Sequence, residues 1–174
     1  MEFNLQKSLE VWRNTPDVLD TLLYSVDKEW YENNEGGNSW SPFHIVAHLI
    51  VGEKTDWLMR VEIILSDKTD KRFPPFNMEI HIEEAKGKTM AQLLGTFKML
   101  RANNLRKLEA MKLTQADLDK TGIHPEFGRV TLKQHLATWT VHDLGHIAQI
   151  TRVMSKQYKT EVGPWMEYLP ILTR

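Results

Sequence analysis

Cysteine is absent from the 174 residues, which excludes disulfides, thiolate zinc sites and a cysteine nucleophile. Any soft metal ion must then be held by His, Asp or Glu. A surplus of charge is missing as well: 22 Lys plus Arg face 23 Asp plus Glu, a formal net charge of -1. Nucleic-acid binders normally carry a basic excess, so no nucleic-acid partner is expected. No stretch approaches the roughly 20 apolar residues that span a bilayer, and the opening MEFNLQKSLEVW has neither a basic nor an apolar signal region. A cytoplasmic protein without a membrane partner is the expectation. Gly-rich phosphate loops, G-x-S-x-G elbows and H-E-x-x-H helices are also missing, and strand-like alternation is nearly so.

What is present is an ordinary globular composition, 41% hydrophobic and 26% charged, with seven His and six Trp. Residues 1–174 are expected to form one all-α domain. Apolar residues at Leu5, Leu9 and Trp12, then at Leu19, Leu22, Leu23 and Val26, follow a helical period. Pro16 after Thr15 divides that span into two helices or one kinked helix over residues 3–28. ENNEGGNSW at 32–40 reads as a connection, and Ser41-Pro42 as a cap plus first-turn proline opening a helix that runs to about Leu65. Residues 66–88, with Pro74 and Pro75, read as a long surface excursion that forms a lid. A third helix spans Thr89 to Met111, its stripe of Leu93, Leu94, Phe97, Leu100, Leu105 and Leu108 opposed by a cationic exposed side. LTQADLDKTGIHPEFGRV predicts a capped helical turn and a loop, and the fourth helix runs from Thr131 to about Tyr158. The tail is expected to dock on the resulting bundle.

His142 and His146 stand four residues apart on the fourth helix, about 6 Å along its axis and about 40° around it, so both rings can reach one ion. Apolar neighbours Val141, Leu144, Ile147 and Ile150 predict that this helix is largely buried. Buried imidazoles need partners, and a shared cation meets that need if a third ligand comes from another helix. His44 and His48 both qualify by position. His48 is the better choice, because His44 sits in the first turn, where the positive end of the helix dipole disfavours a cation. His135 is about 10 Å along the helix from His142, too far to share its ion, and is read as structural. His124 and His81 are assigned turn or surface roles. Glu53 lies about 140° around the helix from His48, which argues against joint ligation. Asp143 is expected to form a salt bridge or a supporting contact and Gln149 a hydrogen bond behind a ligand. Trp40, Trp57, Trp139 and Trp165 are candidates for the walls of an apolar cavity.

WSPFHIVAHLIVGEKTDW at 40–57 and VTLKQHLATWTVHDLGHIAQI at 130–150 resemble the two signature regions of the DinB-like superfamily, which includes YfiT-like metal-dependent hydrolases. HPEFGRVTL and VGPWMEYLP resemble a subgroup of undefined activity. The resemblance implies a four-helix bundle with an up-down-down-up path, a homodimer, and a divalent ion held by three His that correspond to His48, His142 and His146. It implies thiol-dependent S-transfer to a small electrophilic substrate with a low-molecular-weight thiol, and the three-imidazole donor set makes zinc or nickel the expected ion. Metal-dependent hydrolysis is the alternative, because it needs only water as nucleophile, and a non-catalytic helical dimer that binds a small ligand is the reading outside catalysis.

Overall fold

A computed structural model describes residues 1–77 and 79–173; Met78, within the expected lid, and Arg174 lie outside the described residues. Four long helical arms make the bundle: α1 (Leu5–Leu23), α3 (Pro42–Thr55) continued by α4 (Trp57–Leu65), α6 (Met90–Ala110) and α8 (Leu132–Lys156). Short α2 (Glu29–Glu32), α5 (Ile80–Ala85) and α7 (Gln115–Leu118) lie in the connections, and two 3-10 turns close the tail. Each long helix starts where a side chain can take an orphan amide. Asn4 caps α1 and Ser41 caps α3, while Thr89 with Gln92 and Thr131 with Gln134 form reciprocal capping boxes on α6 and α8.

α1 packs against α6 and α8, and α3 packs against the same two helices, so α1 and α3 stand across a diagonal. Two core clusters fix the directions. One gathers Leu19 and Leu23 from the end of α1, Ile45 to Ile50 from the start of α3, Met90 to Phe97 from the start of α6, and Ile150 and Val153 from the end of α8. The other gathers the opposite ends, including Leu9, Val61, Leu108 and Leu132. α1 and α8 therefore run one way and α3 and α6 the other, which is the up-down-down-up path.

Between the clusters lies a polar layer. The Arg101 guanidinium, 1% exposed, donates to Asp143 through Nη1 at 2.6 Å and Nη2 at 3.0 Å, and to Glu53 Oε1 through Nε at 2.9 Å. Asn104 Nδ2 donates to Glu53 Oε2 at 2.9 Å. Arg101 Nη1 also donates to the Trp12 carbonyl at 3.0 Å. That carbonyl is available because residue 16, its normal helical donor, is proline and has no N–H. Pro16 thus sits inside one continuous α1 rather than between two helices, and its missing donor is replaced from α6. The cationic side expected of α6 is exposed at Lys98, Arg106 and Lys107, whereas Arg101 occupies the core.

Three further differences matter for the site. The second arm breaks at Asp56, whose φ of -124° and ψ of -72° separate α3 from α4. The excursion at 66–88 carries α5 and is pinned to the body by Phe73 N–H donating to the Ile123 carbonyl at 2.9 Å. The second loop is an antiparallel hairpin, β1 (Thr121–His124) with β2 (Gly128–Thr131). Gly122 is required where Phe73 crosses it, because a Cβ there would lie 2.4 Å from the ring. No helix among the described residues is long and apolar enough to cross a membrane.

Replacing Arg101 with Leu leaves two buried carboxylates without their cation. The expected loss is about 3–5 kcal/mol of unfolding free energy, read as a fall in the urea midpoint; a midpoint equal to wild type would contradict the assigned role of this layer.

Candidate metal centre

His48 comes from α3, one turn past the capped first turn, and His142 and His146 from one face of α8. His48 Nε2 and His146 Nε2 each lie 3.1 Å from His142 Nε2, and the three nitrogens fall within 4.8 Å of one another. Two nitrogens bound to one ion at about 2.0–2.1 Å with angles between tetrahedral and octahedral stand roughly 2.9–3.4 Å apart, so the two measured separations fit a shared ion.

The protonation chemistry points the same way. Burial, with His146 and His81 adding repulsion, holds His48 down at about 3, and burial with its two histidine neighbours holds His142 down at about 2. His146 is also lowered by burial, against the pull of Gln149 and Asp143. All three rings are therefore neutral near pH 7. A neutral imidazole nitrogen carries either one proton or one in-plane lone pair. His142 Nε2 can satisfy one neighbour and not both. A proton or lone pair on His142 Nε2 can be aligned with one neighbour only, so one of the two 3.1 Å contacts lacks a well-aligned hydrogen bond. A divalent cation, accepting all three lone pairs, removes that conflict. His146 is already set for it: its Nδ1–H donates to Gln149 Oε1 at 2.8 Å, which leaves Nε2 unprotonated.

Aromatic walls enclose the nitrogens. Trp40 tilts over His48 at 4.9 Å between ring centroids, Phe76 meets the same ring edge-on at 5.5 Å, and Trp57 meets His142 edge-on at 4.8 Å. With Gly52 and Asp56 they bound a cleft of about 320 Å³. Gly52 must lack a side chain, because a Cβ would come 2.9 Å from Trp57 Nε1. The connection carrying Trp40 is tied to α8 by Glu35, which accepts from Arg152 Nε and Nη2 at 2.8 Å each and pairs with Lys156 at 3.0 Å. Mainly through the Arg152 hydrogen bond, the Glu35 carboxyl is held down at about 2.

The other sequence candidates divide as follows. His44 is partly buried and bonds Ser41 Oγ through Nδ1 at 3.0 Å, away from the three nitrogens. His135 is structural, its Nε2 bonding the Trp57 carbonyl at 2.9 Å. His124 Nδ1 accepts two turn amides, from Glu126 and Phe127. Glu53 and Asp143 both serve the Arg101 layer behind the ligands. Trp139 stacks on Trp57 one layer behind the cleft, and Trp165 is 67% exposed on the tail, so neither lines it. His81, read from the sequence as a lid or surface residue, is buried and packs on Trp40 at 4.4 Å. Sequence reasoning missed Phe76 and Asp56 as lining residues; the only signal was their closeness to Pro75 and Trp57.

A pH dependence follows for the metal-free protein. His48 and His142 bind protons in the unfolded chain below about pH 6.5 but refuse them in the fold. The contribution of these two rings to stability is therefore full above about pH 6.5 and declines as pH falls toward 3, and imidazole nitrogen shifts should show both rings neutral at pH 5. Rings that titrate near 6.5 in the folded protein would contradict this.

A DinB superfamily model matches residues 10–150, which include all three histidines. Among curated proteins none matches significantly. The fold is similar to that of YfiT from Bacillus subtilis, described as a probable metal-dependent hydrolase with an unusual four-helix bundle topology, at a TM-score of 0.72, 17% identity, and coverage of 91% of this chain and 87% of that one. It is also similar to TT2238, a four-helix bundle protein, at a TM-score of 0.56, 20% identity, and coverage of 85% and 98%. With the family model covering most of its length, the chain belongs to the DinB superfamily.

Proposed function

We propose that His48, His142 and His146 hold one divalent metal ion through Nε2 and that the cleft beside them hydrolyses a small uncharged substrate. The observation that carries this reading is the convergence of three neutral imidazole nitrogens that cannot satisfy one another. Superfamily membership supports it, and the likeness to YfiT, itself described as a probable metal-dependent hydrolase, favours hydrolysis over thiol transfer. Zinc and nickel both suit an all-imidazole donor set. Such an ion supplies Lewis acidity and a lowered water pKa to the cleft.

The chain's own residues do the rest. Gln149 fixes the tautomer of His146, and the Arg101–Asp143 pair anchors α8 immediately beside His142. Trp40, Trp57 and Phe76 supply flat apolar contact and keep water scarce. Among the described lining residues there is no Lys or Arg, so recognition favours an uncharged ester or amide bearing a ring over a phosphate or carboxylate.

Tag-free protein should lose most of its bound zinc or nickel on His142→Ala substitution, measured by elemental analysis, while Gln149→Leu should weaken affinity by about 10–100-fold. Occupancy should fall as pH drops, because protons compete for the same nitrogens. Unchanged metal content in His142→Ala would refute the ligand assignment. Metal-loaded protein should cleave an aryl ester without added thiol; turnover that requires a small thiol would instead establish S-transfer.

A further inference from the structure

We propose that the Asp56 carboxylate accepts the proton of the attacking water in this cleft and returns it to the leaving group. The assignment rests on the hydrolase reading above and adds the proton carrier that reading lacks. Once the three histidines hold an ion, their Nε2 atoms are committed. The Nδ1 atoms of His48 and His142 are buried without a partner, and that of His146 is occupied by Gln149, so none exchanges protons with a substrate. Trp40, Trp57 and Phe76 do not titrate near neutrality and Gly52 has no side chain. Asp56 is the titratable group left among the described residues that line the cleft.

Its placement is built by the backbone. His48, Gly52 and Asp56 follow one another at four-residue intervals, on one face of the arm. The Trp57 indole packs directly over Gly52, and all three residues line the cleft. The helix break at Asp56 sets its side chain on the cleft wall. Arg60 Nε forms an ion pair with Oδ1 of this carboxylate, which lies on the wall of the cleft. Burial lifts the Asp56 carboxyl to about 6, against the opposing pull of Arg60, which places it where a proton can be both taken and given near neutrality. The groups facing it are Arg60 on its own helix and His48 and His142 on the cleft, with His124 from the hairpin and His135 from α8 beside Arg60.

In the step, the water oxygen bonds to the acyl carbon as one water proton passes to Oδ2. The bond from that carbon to the leaving oxygen or nitrogen then breaks, and the proton passes from Oδ2 to the leaving atom. Ester or amide plus water gives acid plus alcohol or amine, and Asp56 ends as a carboxylate. A cleft of about 320 Å³ has room for a ring-sized acyl group and the water, whose share of liquid volume is about 30 Å³.

The test uses metal-loaded full-length protein with p-nitrophenyl benzoate as probe. Asp56→Asn should keep wild-type metal content and lose about 100-fold or more in kcat. Carbon-13 NMR of aspartate-labelled protein should show one carboxyl titrating near 6, absent from Asp56→Asn, and the acid limb of kcat/KM should follow it. Arg60→Gln removes the pull on Oδ1, so that titration and the acid limb should move up in pH together; this variant and the wild-type titration decide the matter if Asp56→Asn does not fold. Hydrolysis unaltered in fully loaded Asp56→Asn, or an Asp56 carboxyl titrating near 4, overturns the assignment while leaving the hydrolase reading intact. Loaded wild-type protein that hydrolyses nothing overturns both.

Discussion

One buried cation organises this bundle. Arg101 reaches from α6 to a backbone carbonyl of α1, a carboxylate of α3 and a carboxylate of α8, so a single guanidinium touches every long helix. A charge in a protein interior is tolerated only when its partners are complete, and here all of its donor nitrogens are engaged. Burial pushes the Glu53 carboxyl up while Arg101 and Asn104 pull it down, and burial wins. The layer is also directional: hydrocarbon would let the helices slide or rotate, whereas a forked donor fixes their register.

That register reaches the histidines. Asp143 follows His142 directly, and Glu53 lies a little over one turn past His48, so the two residues that grip Arg101 come from the same two helices as the candidate ligands. The positive guanidinium also contributes, after burial and the neighbouring histidines, to keeping His142 neutral. Aromatic stacking continues the linkage. Trp12 stacks on Trp139 at 4.5 Å, Trp139 on Trp57 at 5.6 Å, and Trp57 meets His142, so the column runs from α1 through α8 to the cleft wall.

The bundle was legible in the sequence because its signals are local and repeated: a cap plus proline at Ser41, helix starts near Thr89 and Thr131, and apolar stripes at helical spacing. The histidine trio was legible in part for the same reason, since i, i+4 spacing places two rings on one face, and the dipole argument separates His48 from His44. What escaped depended on contacts between distant segments. Arg101 lies four residues from both Phe97 and Leu105, squarely on the apolar stripe, and Asp143 falls between Trp139 and Ile147 on the core face; the periodicity was visible, but it did not reveal that the charges meet. Pro16 left two helices and one kinked helix both open, because local rules have no term for a donor arriving from another helix. The hairpin at 121–131 was missed because four-residue strands are too short to show alternation, and His81 was misplaced because its burial depends on α5 folding back over Trp40.

The nitrogens and two of the cleft's aromatic walls belong to different mechanical parts of the molecule. The three imidazoles ride on α3 and α8, stiffened by the arginine layer, whereas Trp40 and Phe76 sit on connections held by surface ion pairs and backbone contacts. Sequence drift in those connections can remodel what the cleft admits while the donor atoms stay in register, so selectivity and chemistry are free to diversify at separate rates on one scaffold.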